Sequence, residues 1–239
     1  MNVQLLFSKG LRVLKEDGVA GVLRSILVYL RPKQSVDAFD RQYGTDTARS
    51  VPLWSCDIRS LNARFGVQYQ VTPENELIEA LHFLNEDLHT FTFIDLGCGK
   101  GRTLLIASQV GFKHVIGVEF ARELADIAKS NIKKTRTANA TLLHSDVVDF
   151  QFPGENTVIY MYNPFSKDVM RKVLVNLQAS TAKTLYIIYK LPQCADYFDS
   201  SGFLERLGQP SSGSQIMVWK GVRYPAEGAM PTNGVVKLT

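Results

Sequence analysis

In the middle of the chain, short apolar runs alternate with segments whose apolar residues recur at helical spacing. Residues 102–110, 121–134 and 166–180 have the helical spacing, and apolar runs cover 91–96, 114–118, 141–144, 157–162 and 184–189. Buried parallel strands have such near-continuous apolar runs, and helices with one apolar face connect them. The alternation therefore predicts five parallel strands joined by helices.

Two further apolar segments follow the fifth predicted strand. Residues 203–207 and 215–220 have strand character, and a Gly/Pro/Ser loop at 208–213 joins them as an antiparallel hairpin. The predicted fold is α/β, with a doubly wound, mostly parallel seven-stranded sheet of Rossmann-like type. We divide the chain into a helical N-terminal extension with a candidate lid at 1–60, the α/β domain at 61–222 and an irregular tail at 223–239.

The N-terminal extension has amphipathic character. Residues 1–31 place basic side chains between apolar ones, and three glycines divide them into two short predicted helices. Arg24 interrupts the best apolar run and no small-residue cleavage site follows, so neither a membrane span nor a secretory signal is expected. We favour a cap packed on the rest of the protein. The alternative is a peripheral contact with a membrane or a protein partner.

A polar segment lies between the extension and the α/β domain. The sequence FDRQYGTDTA at 39–48 surrounds Gly44 with side-chain donors and acceptors, beside Phe39 and Tyr43. A surface linker and a lid over the functional site both remain open. A further short helix is predicted at 53–65.

Composition restricts the class of protein. A hydrophobic content of 45% and a charged content of 21% are typical of soluble globular chains. The three cysteines are far apart and the four histidines have no metal-ligand spacing, so we expect a reducing, cytoplasmic compartment and no metal.

Residues 1–41 contain seven Lys/Arg against four Asp/Glu, which is most of the net charge of +4. Without a long basic stripe, nucleic acid is disfavoured as a partner.

The candidate ligand-binding residues of the predicted sheet follow its first strand. Gly97, Gly99 and Gly101 occupy alternate positions, a helix begins at once, and the next strand ends in Glu119. Glycines permit positive φ and close approach of a ligand, and an acid roughly 20 residues on can accept hydrogen bonds from ribose hydroxyls. This arrangement predicts a nucleoside pocket.

The glycine spacing and Asp95 indicate which nucleoside fits. A dinucleotide fingerprint is G-x-G-x-x-G, but here the third glycine comes one residue early and Arg102 stands where glycine is needed. Asp95, two residues ahead of the glycines, would repel a phosphate and attract a cation. The acid followed by G-x-G-x-G resembles the first motif of class I S-adenosylmethionine-dependent methyltransferases, and the resemblance extends from about residue 69 to residue 220.

The resemblance implies S-adenosylmethionine as the cofactor, S-adenosylhomocysteine as the product, and no metal. It implies that the turn holds the methionine part, that Glu119 and its neighbour hold the ribose, and that residues after the third strand hold the adenine. A Tyr-x-x-Thr-Pro element ahead of the turn resembles one that contacts the methionine part in amino-group methyltransferases. The implied cofactor-binding residues are Asp95, Gly97, Cys98, Gly99, Gly101, Glu119, Phe120, Asp146, Val147, Asn163, Tyr69 and Thr72.

Two of these residues have simpler structural interpretations as well. Thr72 is a good N-cap, with Pro73 at the first position of a predicted helix. Asp146 could cap a turn instead of accepting a hydrogen bond from the adenine amine, with the Val147 N–H reaching a ring nitrogen.

The fourth strand ends in Asn163-Pro164-Phe165, our candidate catalytic residues. An Asn carbonyl and the backbone carbonyl before proline can orient the N–H groups of an amine, and Phe165 could flank it. A bare strand-end turn is the simpler alternative. The tripeptide resembles the Asn/Asp-Pro-Pro-Tyr/Phe motif of amino methyltransferases with one proline fewer, and the order of motifs is similar to that of non-SET protein-lysine methyltransferases.

The predicted activity is therefore methyl transfer from S-adenosylmethionine to a nucleophile, preferably an amine nitrogen. A protein lysine is slightly favoured as acceptor, a small molecule comes next and RNA third. One alternative is a non-catalytic cofactor-binding module that acts on a membrane or partner through residues 1–31. Another is a nicotinamide oxidoreductase. The expected location is cytoplasmic, or peripheral to the inner face of a membrane.

Overall fold

The computed structural model describes residues 37–49, 70–163 and 165–222. The helices within these residues are α1 (Ala38–Tyr43), α2 (Glu74–Phe83), α3 (Arg102–Val110), α4 (Arg122–Thr135), α5 (Lys167–Gln178) and α6 (Ala195–Asp199). The strands are β1 (Thr92–Leu96), β2 (His114–Glu119), β3 (Ala140–His144), β4 (Thr157–Tyr162), β5 (Leu185–Lys190), β6 (Leu204–Gly208) and β7 (Ile216–Gly221). Two short 3₁₀ turns cover Leu88–Thr90 and Val147–Asp149.

The seven strands form a single sheet in the order β3-β2-β1-β4-β5-β7-β6. Strands β1 to β5 pair in parallel, whereas β7 is antiparallel to both β5 and β6. The predicted α/β fold is therefore confirmed, including the hairpin that closes the sheet. The strand order reverses between β1 and β4, and in open α/β sheets ligands bind at the carboxyl ends of the strands beside such a reversal.

Alternate residues of the central strands are buried on opposite faces of the sheet. Phe93 and Tyr160 face the core beneath α2 and α3, whereas Ile94 and Ile159 face the core beneath α5. Burial on both faces explains why these strands read as continuous apolar runs rather than as alternating patterns.

Helix α3 has the predicted bounds because glycines stand at both of its ends. Gly101 is its N-cap at φ 79°, and Gly111 ends it at φ 102° with its N–H donated to the carbonyl of Ala107. These left-handed conformations suit glycine, which has no Cβ to clash. The turn before α3 and the start of the helix are therefore defined by local sequence.

The prediction that Thr72 caps helix α2 is wrong. Helix α2 begins at Glu74 with Pro73 as its N-cap, and no side chain makes a cap hydrogen bond there. Thr72 is instead buried, and its hydroxyl lies 2.8 Å from the hydroxyl of Tyr160 on β4. The buried tyrosine needs a hydrogen-bond partner, and Thr72 provides it.

Several predictions concern parts of the chain outside the described residues. These are the helices at 1–31 and 53–65, the tail at 223–239, and the site residues Tyr69 and Pro164. The division of the chain at 60 and 222 stays a prediction. None of the helices in the described part of the chain is both long and apolar enough to cross a membrane.

Candidate functional site

The glycine turn between β1 and α3 folds back over the end of β2. Gly97 and Gly99 have φ of 82° and 54°. The amides of Gly97 and Cys98 both donate to the carbonyl of Val118, at 2.8 and 3.1 Å, and the amide of Gly101 donates to the carbonyl of Cys98 at 2.9 Å. The turn is thus closed by backbone hydrogen bonds to itself and to β2.

Glu119, the last residue of β2, joins the glycine turn to the start of the following loop. Its Oε2 accepts from the amide of Gly99 and its Oε1 from the amide of Ala121, each at 2.8 Å. Burial raises the pKa of Glu119 to about 7, and the amide hydrogen bonds, including one from Phe120, oppose this shift. A carboxylate has about four acceptor positions, so with three amide donors the side chain can still accept from a ribose hydroxyl.

Asp95 lies on β1, close enough to Glu119 for the two charges to interact. The side chain is 3% exposed, and the hydroxyl of Thr103 donates to its Oδ2. Burial raises the pKa of Asp95 to about 7; the hydrogen bond from Thr103 opposes the shift and the charge of Glu119 adds to it. Two buried carboxyl groups at the ends of neighbouring strands favour a cationic ligand.

The hydrogen bonds of the turn also bear on the type of cofactor. The amides of Gly97, Cys98 and Gly101 donate to backbone carbonyls, and that of Gly99 donates to Glu119. A pyrophosphate is normally held by backbone amides that point at it from such a turn. Here those amides have internal partners and carboxylates stand nearby, so the geometry disfavours a dinucleotide.

Residues 37–48, which we call the strap, dock on the glycine turn. Within the strap, the buried carboxylate of Asp40 accepts from the hydroxyls of Thr45 and Thr47 and from the amides of Thr47 and Ala48. These hydrogen bonds lower the pKa of Asp40 against the effect of burial. Many of the polar groups of 39–48 therefore form hydrogen bonds within the strap itself.

The strap contacts the turn through two basic side chains. Lys100, which is fully buried, donates to Oδ1 of Asp46 at 2.8 Å. Arg102 donates through Nε to the hydroxyl of Thr47 at 2.8 Å, pairs with Asp37, and places its guanidinium 4.6 Å from the ring centroid of Phe39. Arg102 is thus a docking residue for the strap.

Asn131 on α4 adds a third connection between the strap and the turn. Its side chain accepts from the amide of Asp46 and donates to the carbonyls of Asp46 and Lys100, at 3.0 to 3.1 Å. The segment 37–48 is therefore a packed element of the domain rather than a free linker. Its movement as a lid stays a prediction.

The predicted adenine residues lie at the end of β3. Asp146 is half-buried and its side chain accepts from the amide of Val148 at 3.2 Å, which is the turn-capping role weighed as the alternative. Val147 is buried at the start of the 3₁₀ turn. An Asp can cap a turn and still accept from a ligand, so the assignment of adenine to this position stays a prediction.

At the end of β4, Asn163 has a left-handed backbone with φ of 38°. Its Oδ1 accepts from the hydroxyl of Tyr189 at 3.3 Å, so the carbonyl expected to orient an amine already has one protein donor. Phe165 is half-buried and packs against the core beneath α5. The structure thus brings Asn163 to the edge shared with Asp95 and Glu119, whereas much of Phe165 serves the core.

Comparison with known proteins agrees with this geometry. Residues 93–183 match the family model described as a methyltransferase domain. This part of the chain is therefore similar to methyltransferase domains. The resemblance to class I S-adenosylmethionine-dependent methyltransferases is confirmed by this match. The fold is shared with the Escherichia coli protein YhhF, which is described as a candidate methyltransferase. The TM-score is 0.51 at 12% sequence identity, and the match covers 66% of this chain and 93% of that one.

Two relatives by sequence are similar to this chain over short stretches. A ribosomal protein L11 methyltransferase of Clostridium perfringens is 38% identical over 58 residues, 24% of this chain and 18% of the relative. An uncharacterized RNA methyltransferase of Protochlamydia amoebophila is 33% identical over 112 residues, 44% of this chain and 25% of the relative. The chain spans only a quarter or less of each of these relatives.

Several residues around the candidate site were not anticipated from the sequence. They are Thr103, which donates to Asp95; Lys100 and Asn131, which hold the strap; and Lys190, which pairs with Glu76 on α2. For Lys190 a signal was present. Lys190 is the last residue of the apolar run of β5. Its register partner on β4 is Tyr162, the residue directly before Asn163.

The described part of the chain contains no cluster of three or more His, Cys, Asp or Glu side chains arranged to hold a metal ion. Cys98 and Cys194 are buried and free of disulfides. Burial raises the pKa of the Cys98 thiol, and the charges of Asp95 and Glu119 act in the same direction. Cys98 is therefore a neutral, apolar lining group of the turn rather than a nucleophile.

Proposed function

We propose that the protein transfers a methyl group from S-adenosylmethionine to a nucleophile on a protein or an RNA. The observation that carries the proposal is the pair of buried acids, Asp95 and Glu119, around a turn whose amides are already hydrogen-bonded. Such a site suits a cationic nucleoside and is unsuited to a pyrophosphate.

The cofactor residues have distinct proposed roles. Asp95 attracts the cationic methionine end, and Gly97, Cys98, Gly99 and Gly101 form the bend against which that end lies. Glu119, with its neighbour Phe120, binds the ribose through the acceptor directions not used by backbone amides. Asp146 and Val147 take the adenine. Bound S-adenosylmethionine supplies an activated methyl group, and these residues position it.

The proposed acceptor end lies at the carboxyl end of β4. Asn163, held by Tyr189, orients the attacking nucleophile, and Phe165 restricts access of water beside it. Methyl transfer from a sulfonium needs in-line approach more than acid-base chemistry, so positioning and exclusion of water provide most of the acceleration. Nitrogen remains the proposed acceptor atom.

The class of acceptor molecule rests on the relatives. One acts, by its name, on a ribosomal protein and another is named as an RNA methyltransferase. The prediction that nucleic acid is disfavoured therefore receives no support from the comparisons. A protein and an RNA are the two proposed acceptors, and a small molecule is set below them.

Two measurements test the proposal. Titration calorimetry of the full chain should show binding of S-adenosylmethionine and S-adenosylhomocysteine, while NADH fluorescence should show no enhancement. Cofactor carrying a labelled methyl group, incubated with the protein and cell lysate, should then label protein or RNA. Binding of NADH in place of S-adenosylmethionine would overturn the proposal. Binding without label in any fraction would favour a non-catalytic module.

A further inference from the structure

Strands β4 and β5 end side by side in an unusual backbone conformation. Tyr162 and Lys190, their last residues, are register partners, and the next residues, Asn163 and Leu191, have φ of 38° and 49°. A branched residue such as leucine is rarely found at positive φ, and such strain is concentrated at functional sites. The other two non-glycine residues with positive φ in the described part of the chain, Asn85 and Arg136, lie within two residues of a helix C-terminus, where this conformation is common.

An ion pair stands at this strained edge, between a buried lysine and Glu76, whose side chain is 34% exposed. Lys190 is 2% exposed, its Nζ donates to Oε2 of Glu76 on the first turn of α2, and Nζ lies 5.1 Å from the ring centroid of Tyr162. Taking a lysine out of water to form an ion pair is seldom more stabilising than an apolar side chain of the same volume. Core packing alone therefore does not explain a lysine at the end of β5.

The ion pair lies close to the cofactor site. Strand β4 separates β5 from β1, and Tyr160 on β4 is the register partner of Asp95 on β1. The hydroxyl of Tyr160 lies 2.8 Å from that of Thr72, two positions before the helix that contains Glu76. The pair is thus placed on the acceptor side of the proposed methyl-transfer site, two strands away from Asp95.

The donors of Lys190 indicate what type of group it could bind. An ammonium has three N–H donors, and Glu76 accepts one of them while the face of Tyr162 interacts with the charge. The other N–H donors of Lys190 could bind an oxygen atom of a ligand. A substrate ammonium, by contrast, would need the same carboxylate and ring that the tethered ammonium of Lys190 already occupies.

We propose that Lys190, paired with Glu76 and lying against Tyr162, binds the acceptor substrate, and that the methylated group is uncharged and has a hydrogen-bonding oxygen beside the reacting atom. An amide has this chemistry, and so does a nucleobase with a ring carbonyl, whereas an alkylamine does not. The inference rests on the proposed methyltransferase function. It places a lysine side chain, which must lose a proton before it can attack, below both as acceptor.

The test compares Lys190→Met with a matched control, Lys220→Met. Lys220 also places its Nζ 5.1 Å from a tyrosine ring centroid, that of Tyr186, but near the other end of β5. Calorimetry with S-adenosylmethionine should give wild-type affinity for both variants. In the lysate assay, Lys190→Met should raise the KM for the labelled acceptor fraction by about tenfold or more, as expected for the loss of a charge-assisted hydrogen bond. Lys220→Met should leave KM unchanged.

A second variant distinguishes a loss of substrate binding from a loss of folded protein, and a product analysis identifies the methylated group. Lys190→Arg retains the charge and should recover most of the wild-type KM, which a loss of folded protein would not predict. The labelled wild-type product, hydrolysed to its components, should contain no methyl-lysine. Methyl-lysine, or equal KM values for Lys190→Met and Lys220→Met, would overturn the inference and leave the proposed function intact. Absence of any label would overturn both.

Discussion

Glu119 has two tasks at the scale of single residues. Its carboxylate holds the amide of Gly99, and so the shape of the glycine turn, and it is the proposed acceptor for the ribose hydroxyls. Substitutions at this position therefore change both the cofactor contact and the turn. Asn163 has one proposed task, at the acceptor end, and it lies after a different strand.

We expect Glu119→Ala to weaken binding of S-adenosylmethionine by about tenfold to a hundredfold, because at least one charge-assisted hydrogen bond to the ligand and two to the backbone are lost. Asn163→Ala is the comparison variant, and it should lower turnover while leaving cofactor affinity nearly intact. Calorimetry and single-turnover assays measure the two effects. Normal cofactor binding by Glu119→Ala would show that the site is assigned to the wrong residues.

The pKa values of Asp95 and Glu119 predict a pH dependence of stability. Each is raised to about 7 from ordinary values of 3.8 and 4.5, so the folded protein binds more protons than the unfolded chain between these limits. The stability that the two groups contribute is present at low pH and is lost as the pH rises through about 7. Thermal unfolding across this range should show a flatter profile for Asp95→Asn than for the wild type. Identical profiles would contradict the assignment.

A cationic ligand should bind the ionised acids, which gives the same groups a second pH effect. We expect the affinity for S-adenosylmethionine to rise with pH through about 7, and we expect this rise to be smaller in Asp95→Asn. Calorimetry at several pH values measures it. An affinity that falls as the pH rises would mean that the neutral acids bind the ligand.

The strap is the feature that matters most at the scale of elements. It is short and polar, yet it is held by Lys100, Arg102 and Asn131, which belong to the turn and to helices α3 and α4. Burial lowers the pKa of Lys100, and the carboxylate of Asp46 opposes that shift. The stability of the glycine turn therefore depends on an element far away in the sequence.

We expect Asp46→Asn to lower the free energy of unfolding by about 1–3 kcal/mol, because a buried ammonium loses its carboxylate. Affinity for S-adenosylmethionine should fall with it, since Lys100 is part of the turn. Asp126→Asn removes the same charge from an exposed position on α4 and should change stability by less than about 0.5 kcal/mol. Equal unfolding midpoints for the two variants would refute a structural role of the strap.

Elements with local signals were predictable from the sequence, and those formed by distant contacts were not. Helix α3 has its predicted ends because Gly101 and Gly111 mark them. The strap joins residues 54 to 85 positions apart, and Lys190 meets Glu76 across 114 positions, which no local pattern reveals. Thr72 failed as a predicted cap for the same reason, because a distant tyrosine competes for its hydroxyl.

At the scale of the whole molecule, charge is unevenly distributed along the sequence. Most of the net charge of +4 lies in residues 1–41, with seven Lys/Arg against four Asp/Glu. The two interpretations of residues 1–31, a packed cap or a peripheral contact, make different predictions for membranes, because anionic lipid attracts basic residues by about 1 kcal/mol each.

We expect the full chain to sediment equally weakly with neutral and with anionic vesicles, as the favoured interpretation of a packed cap requires. A variant with Lys9, Arg12 and Lys15 changed to Glu is the control, and it should behave like the wild type. Salt-sensitive binding to anionic vesicles that the triple variant loses would instead establish the peripheral membrane contact.

The docking of the strap has a mechanical consequence. The chain ahead of Asp37 enters the described domain through the strap, so tension on that upstream chain would be borne first by the contacts to Arg102 and Lys100. Anchoring the N-terminal residues to a large assembly would thus load the glycine turn that we propose as the site of the methyl donor.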